Sequence, residues 1–172
     1  MNWLLLAGGA FALLVVLIAL IGALLPREHV ATRTATFRQA PAVVFAVVRD
    51  FATLPTWRRG ISAVELLPAY EGAVSYRETS RHGAVTYVVR EERADTRLVV
   101  EIADENLPYG GRWIFEFRAT SSGTELRITE EGFVKNVLFR FLARFAFGHT
   151  ATLETYLAGL AKKFAEPAPT FR

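Results

Sequence analysis

No cysteine occurs among the 172 residues of this chain. Disulfide bonds, zinc sites that use thiolate ligands and cysteine nucleophiles are therefore excluded. Histidine is also scarce, since His29, His82 and His149 stand far apart and form no HxxxH or HExxH pair. Because such pairs supply the ligands of many histidine-based metal sites, we expect the protein to bind no metal ion.

A strong charge of one sign is also missing. The net charge is +3, and the basic residues are dispersed along the chain rather than grouped in a run. A nucleic-acid partner is therefore not expected. The Gly110-Gly111 pair is not followed by GK[ST], so we predict a tight turn between two strands there, not a phosphate loop, and we expect no cofactor.

Charged residues are absent from one long stretch, which runs from Trp3 to Leu25. At about 1.5 Å per residue such a helix reaches roughly 35 Å, enough for a hydrocarbon core of about 30 Å. A cleavable signal peptide is the alternative, but no Lys or Arg precedes the run and no A-x-A site follows it. We therefore predict a retained transmembrane anchor over residues 1–26.

The distribution of charge around this anchor predicts its orientation. Arg27, Arg33 and Arg38 follow the apolar run, whereas only the α-amino group precedes it. Positively charged flanks stay on the cytoplasmic side of a membrane. We therefore expect a single-pass protein whose soluble part faces the cytoplasm.

The residues after the anchor read as one domain over 27–166, followed by a disordered tail at 167–172. A strand is predicted in ATRTATFR, then a helix that begins at Pro41 and a short helical turn that ends before Gly60. Turn-forming residues then separate six alternating segments, which predicts an antiparallel meander. The six segments are 61–68, 72–80, 84–94, 96–105, 112–120 and 124–134.

From Lys135 the period of the apolar residues becomes helical, which predicts one long terminal helix that covers the concave face of the sheet. The apolar stripe of this helix contains Leu138, Phe141, Leu142, Phe145, His149, Thr152, Leu153, Tyr156, Leu160 and Phe164, and the opposite, polar face contains Arg140, Arg144, Glu154 and Lys162.

This order of elements resembles the START-like, or SRPBCC, superfamily. The resemblance is carried by PAVVFAVVRDFATLPTW, by LPYGGRWIFEF and by the segment from TELRITEEGFV through the terminal helix, and it spans about residues 31–164. The chain is most similar to the bacterial polyketide cyclase/dehydrase and lipid-transport branch, which implies that the predicted anchor lies in a bacterial inner membrane. The resemblance implies an α+β helix-grip fold, in which a curved seven-stranded antiparallel sheet surrounds a long C-terminal helix over a deep hydrophobic cavity. Members bind apolar molecules such as lipids, sterols, quinones or polyketides, and a minority catalyse cyclisation or dehydration.

Alternation along the strands predicts which side chains line that cavity. In RWIFEFR one face carries three aromatic rings, and tyrosines on two earlier strands point to the same interior. Tyrosine suits such a wall because it joins an apolar ring to a hydroxyl group. The predicted ligand-binding residues are Tyr76, Tyr87, Trp113, Phe115, Phe117, Leu126, Ile128, Phe145, His149 and Leu153.

Three acidic residues share the parity of these positions. Glu78 and Glu91 alternate with the tyrosines, and Glu130 alternates with Ile128. Glu130 is either a buried group with a raised pKa or, as we favour, a carboxylate in water at the open end of the sheet. His149 is open to three interpretations: a satisfied core residue, a contact to the ligand, or a base that lacks an assured neighbour to fix its tautomer.

The first half of the terminal helix has more apolar and basic residues than one core face requires. Phe139 and Phe147 lie off the main stripe and alternate with Arg140 and Arg144. This half can rest on an anionic membrane surface, or it can be covered by the helices near the start of the domain.

The leading hypothesis is a membrane-anchored protein that binds a hydrophobic small molecule or lipid under its terminal helix. The alternatives are a cyclase or dehydratase in the same cavity and a protein-interaction module that uses the same groove. Catalysis requires an acid or base held by a second residue near the substrate. Because only isolated candidates occur in the sequence, binding without catalysis is the favoured hypothesis, with no catalytic residue assigned.

Overall fold

A computed structural model describes residues 2–142, 144–145 and 150–171. The apolar N-terminal helix leads into a domain whose helices precede and follow one antiparallel sheet. The helices are α1 (Asn2–Leu24), α2 (Pro41–Arg49), α3 (Leu54–Trp57), α4 (Val137–Leu142) and α5 (Ala151–Lys163). The strands are β1 (Glu28–Phe37), β2 (Ile61–Tyr70), β3 (Ala73–Ser80), β4 (Gly83–Arg93), β5 (Arg97–Ile102), β6 (Tyr109–Thr120) and β7 (Gly123–Val134).

Helix α1 contains a span that meets the length and composition of a membrane-crossing helix. This span runs from Trp3 to Leu24 with a mean hydropathy of 3.0, and an 18-residue window within it has no buried residue. Its side chains are mostly exposed, Leu5 by 75% and Phe11 by 69%, and only its last turns contact α4. The predicted apolar helix is therefore present.

The seven strands form one antiparallel sheet in the order β1-β7-β6-β5-β4-β3-β2. Helix α5 packs on its inner face, where Leu153, Leu157 and Leu160 are fully buried. Helices α2 and α3 close the remaining sides, with Phe45 of α2 in edge contact with Phe117 of β6 at 5.3 Å between ring centroids. The predicted α+β helix-grip fold with a seven-stranded sheet is confirmed.

The alternation predicted in β6 is observed. Trp113, Phe115 and Phe117 belong to the core or pack against it, whereas Glu116 pairs with Arg97 on the outer face. Because side chains alternate strictly along a strand, this assignment fixes which face of β6 points to the core.

Two local expectations about the sheet are wrong. Gly110 and Gly111 do not form a turn but lie inside β6, where Gly111 pairs with Gly132 and has a φ of 139°. A Cβ at Gly111 would overlap the backbone of Glu131, so glycine permits the two strands to approach closely here. Glu91 does not face the interior, because a bulge after Val89 shifts the register of β4.

The terminal helical region also differs from the prediction of one amphipathic helix against the sheet. The second half, α5, buries its stripe as predicted, but α4 lies against the end of α1. Arg140, predicted on the polar face, is only 7% exposed, and its Nη1 donates a hydrogen bond to the carbonyl oxygen of Leu25 at 2.9 Å. The difference arises because α1 supplies a second packing partner, which the sequence pattern of α4 alone does not reveal.

The C-terminal tail has no helix or strand in its described part. The side chain of Phe171 is partly buried and packs against the core. Just before the tail, the carboxylate of Glu166 accepts hydrogen bonds from the backbone N–H of Arg38. Disorder of residues 167–172 therefore stays a prediction.

Candidate functional site

A cavity of about 450 Å³ lies inside the curve of the sheet. A volume of this size is in the range that small-molecule sites occupy. Strands β1 to β7 supply most of its wall, with α4 and α5 adding one residue each. The lining residues are His29, Arg58, Ile61, Glu78, Ser80, His82, Gly83, Val85, Tyr87, Val100, Ile102, Tyr109, Gly110, Gly111, Arg112, Trp113, Glu130, Gly132, Phe133, Val134, Phe139 and Thr152.

The mouth of this cavity lies at the end of the sheet from which α1 emerges. Strand β1 begins at Glu28, only four residues after α1 ends, and Glu28 pairs with Phe133 near the end of β7. Val134, the last residue of β7, pairs in turn with Tyr109 at the start of β6. Phe133, Val134 and Tyr109 all line the cavity, and Phe133 and Tyr109 are 37% and 38% exposed, so we place its opening at this end, next to the apolar helix.

The inner end of the cavity contains a buried ion pair between Arg58 and Glu78. The two side chains are 14% and 4% exposed, and Nη1 of Arg58 donates a hydrogen bond to Oε1 of Glu78 at 2.5 Å. Arg58 follows α3 and Glu78 lies on the inner face of β3. Alternation along β3 indicated that Glu78 faces the interior, whereas Arg58 was not predicted, since no spacing rule connects a residue after a helix to one on a distant strand.

Aromatic rings surround this ion pair. The guanidinium carbon of Arg58 lies 5.2 Å from the ring centroid of Trp113 and 5.2 Å from that of Tyr156. These distances are typical of cation–π interactions, which hold the guanidinium group between β6 and α5. Tyr156 was placed on the apolar stripe of the helix by its sequence spacing but was not predicted as a site residue.

A second set of stacked rings extends the wall. The ring centroids of Tyr76 and Tyr87 are 5.3 Å apart, and Phe51 stacks on Tyr76 at 3.9 Å. A small void of about 20 Å³ lies between this stack and Tyr156. That volume is close to what a single water molecule occupies, so the inner end can hold one small polar group of a ligand or a water.

Burial sets the protonation of the polar groups. It raises the pKa of Glu78, and the Arg58 charge offsets only part of that effect. Burial likewise raises the pKa of Tyr76, Tyr87 and Tyr156. The three hydroxyl groups therefore keep their protons at neutral pH and can donate hydrogen bonds to an oxygen atom of a ligand.

A second acid–base pair lies nearer the mouth. Nε2 of His29 lies 3.5 Å from Oε1 of Glu130, and the two side chains are 17% and 24% exposed. Both residues line the cavity. Glu130 thus lies at the open end of the sheet, as favoured from the sequence, but it has a partner and is mostly buried.

The structure divides the predicted site residues into five groups. Tyr87 and Trp113 line the main cavity, and Tyr76 and Phe115 line the small inner void. Phe145 is 62% exposed outside the cavity, in ring contact with Phe141 at 4.9 Å. His149 lies outside the described residues. The remaining four belong to the packed core and do not line the main cavity: Phe117, Leu126, Ile128 and Leu153.

Across residues 2–142, 144–145 and 150–171, no group of three or more histidine or acidic side chains could hold a metal ion. The polar groups of the cavity are instead suited to orienting an organic ligand by hydrogen bonds and by the charge of Arg58.

Residues 28–165 match the model of a protein family described as polyketide cyclase/dehydrase and lipid transport. Among solved structures, a protein from Thermus thermophilus is similar with a TM-score of 0.62 and 17% identity over 80% of this chain and 97% of the other. A START superfamily protein from Mycobacterium smegmatis has a TM-score of 0.57 and 14% identity, with coverage of 80% and 97%.

The di-domain ARO/CYC StfQ from the steffimycin biosynthetic pathway is also similar, with a TM-score of 0.61 and 12% identity. The match covers 81% of this chain but only 52% of StfQ, so the present chain spans about half the length of that protein. No curated protein matches the chain in sequence. At these identities the structural likeness is evidence for the fold alone, and it confirms the expected START-like fold.

Proposed function

The chain belongs to the polyketide cyclase/dehydrase and lipid transport family, and from that premise we propose that it binds a hydrophobic small molecule or lipid in the cavity under α5. One observation carries the proposal: the 450 Å³ cavity opens beside the end of the apolar helix α1. A protein tethered by that helix holds its cavity mouth at the membrane surface. A ligand dissolved in the bilayer then reaches the cavity without crossing bulk water.

The chemistry of the wall defines the ligand class. Most of the surface of the cavity wall is apolar, and Arg58, Glu78 and Tyr87 provide polar groups at its inner end. The other polar side chains of the wall are His29, Ser80, His82, Tyr109, Arg112, Glu130 and Thr152. Such a distribution suits a largely apolar molecule that carries an oxygen atom at its leading end. The protonated hydroxyl group of Tyr87 and the guanidinium group of Arg58 are the donors for that oxygen atom.

Native mass spectrometry of the full-length protein, released gently from membranes, tests the proposal. We expect a second mass peak that exceeds the apo mass by that of one apolar molecule. A clean apo mass, together with no binding from a panel of lipids, quinones and fluorescent apolar probes, would contradict it. That result would instead favour a groove that binds a protein partner.

A cyclase or dehydratase is the second candidate, because a buried Arg58 and protonated tyrosine hydroxyl groups at the end of a cavity can polarise a carbonyl group. The same mass measurement tests the dehydratase, because loss of water changes the mass of the substrate. Incubation with a polyketide-like substrate would release a product lighter by one water if the protein catalyses dehydration. A bound molecule of unchanged mass after long incubation favours binding without dehydration.

The side of the membrane is part of the proposal. Arg27, Arg33 and Arg38 follow α1, which favours a cytoplasmic domain in a bacterial inner membrane. Reporter fusions to both ends in a bacterial host should give a cytoplasmic signal from the C-terminal fusion. A periplasmic signal there would reverse the proposed orientation.

A further inference from the structure

A second, smaller cavity lies where α1, β1 and α4 meet. Its volume is about 220 Å³, and its wall includes Leu25 and Pro26 at the end of the apolar run together with three arginines, Arg27, Arg140 and Arg144. Glu28 and His29 also line it. This cavity adjoins the mouth of the larger one, because His29 and Val134 belong to both walls.

Arg140 is the unusual residue of this cavity. It is 93% buried, since only 7% of its surface is exposed, and its Nη1 donates to the carbonyl oxygen of Leu25 at 2.9 Å. Its Nε is buried and has no hydrogen-bond partner among residues 2–142, 144–145 and 150–171. Among these described residues, no carboxylate forms an ion pair with Arg140. Glu28 lines the same cavity but is not paired with it.

A buried guanidinium group without a counter-ion is unfavourable unless an anion approaches it. Arginine binds phosphate strongly, because its planar fork matches two phosphate oxygens. Arg27 and Arg144 also line the cavity, whereas Glu28 is the one carboxylate in its wall. His29 forms a pair with Glu130. The cavity therefore has an excess of positive charge, and its wall includes an arginine whose Nε has no hydrogen-bond partner among the described residues.

The position of the cavity identifies the source of the anion. Leu25 ends the apolar run, so a cavity lined by Leu25 lies at the depth of lipid headgroups if α1 crosses the membrane. Next to it, α4 exposes Leu138 by 40%, Phe139 by 52% and Leu142 by 40%, and these side chains are placed to contact acyl chains.

We propose that this cavity binds the phosphate group of an anionic phospholipid, with Arg140 as the buried donor and Arg27 and Arg144 as surface donors. The inference rests on the proposed membrane anchoring but not on the ligand of the larger cavity. A bound lipid fills the gap between α1 and α4, and so holds the mouth of the larger cavity against the bilayer.

The test uses the full-length protein in nanodiscs of phosphatidylcholine with a minor fraction of phosphatidylglycerol. Lipids that stay bound after transfer to mild detergent are counted by native mass spectrometry. We expect phosphatidylglycerol to be enriched over the nanodisc composition, and Arg140→Gln to reduce that enrichment on the order of tenfold, the worth of a charge-assisted hydrogen bond. Arg118→Gln, an exposed arginine on β6 far from the cavity, removes the same charge and should leave the enrichment unchanged.

Because Arg140→Gln removes a buried side chain, circular dichroism must show that the variant folds. If it does not fold, the exposed pair Arg27→Gln and Arg144→Gln replaces it, and the enrichment should fall about 25-fold, since each such arginine contributes about fivefold at an anionic surface. Equal enrichment in the cavity variants and in Arg118→Gln would overturn the inference.

Free phosphate is distinguished from lipid by a second arm. Inorganic phosphate is added to the protein in nanodiscs of phosphatidylcholine alone, and a bound phosphate mass without any phosphatidylglycerol enrichment in the first arm would overturn the lipid assignment. A wild-type protein that enters nanodiscs but shows no enrichment would contradict only this site. A wild-type protein that fails to enter nanodiscs would contradict the membrane anchoring and this site together.

Discussion

Replacing Glu78 with leucine should lower the free energy of unfolding by about 3–5 kcal/mol, because it leaves the buried charge of Arg58 without its partner. The side chains of Arg58 and Glu78 are 14% and 4% exposed, so solvent compensates only poorly for the lost carboxylate. Denaturant unfolding of the full-length protein in detergent, followed by tryptophan fluorescence, measures the change.

The double variant Arg58→Met with Glu78→Leu should recover most of that loss. For Glu78, burial outweighs the attraction of Arg58 and raises the pKa of the carboxyl group, so the pair itself adds little net stability. The polar end of the cavity is then absent, and affinity for an oxygen-bearing ligand should fall even though the fold is stable.

The control for this prediction is a second arginine–glutamate pair, which joins β2 to β3. Glu65 and Arg77 are 3.6 Å apart, and their side chains are 65% and 46% exposed. Glu65→Leu should change the free energy of unfolding by less than about 1 kcal/mol, because exposed ion pairs are weak. Equal losses in Glu65→Leu and Glu78→Leu would show that the Arg58–Glu78 pair is not effectively buried.

Filling the cavity should abolish ligand binding without unfolding the protein. Thr152 lies on α5, has an exposed surface and lines the main cavity. Tryptophan at this position projects a large ring into the space that a ligand needs, and the affinity for an apolar probe should fall at least tenfold. The change is measured by titrating a fluorescent apolar probe into the protein in detergent micelles.

Thr155 provides a matched control one turn along the same helix. It is also exposed, but it lies on the surface between α3 and α5 and does not line the main cavity. Thr155→Trp should therefore bind the probe as the wild type does. If both variants bind equally well and both fold, the ligand does not occupy the cavity under α5.

The part of the site that lies on regular strands was predictable from the sequence. Trp113 and Tyr87 were assigned to the interior because side chains alternate along a strand, and the structure places both on the cavity wall. The same rule failed at Glu91, where a bulge after Val89 changes the parity. A bulge changes which residues face inward without changing the composition of the strand, so alternation alone cannot reveal it.

The residues that the sequence did not identify depend on contacts between distant elements. Arg58 becomes a cavity residue only because the segment after α3 lies beside β3, which brings it to Glu78. Arg140 resembles a solvent-facing arginine within the pattern of its own helix, yet it is buried against the end of α1. Both are charged residues whose burial requires a partner from elsewhere in the chain, and a periodic pattern contains no information about that partner.

The central claim is that an apolar ligand enters the cavity through the mouth beside α1. Photo-crosslinking with a fatty acid that carries a diazirine group, applied to the full-length protein in membranes, tests it most directly. We expect labelled peptides that contain Tyr87 and Trp113, with the labelling lost in Thr152→Trp and retained in Thr155→Trp. Labelling confined to α1 and to the exposed side chains of α4 would contradict the claim, because the probe would then contact only the outer surface of the protein.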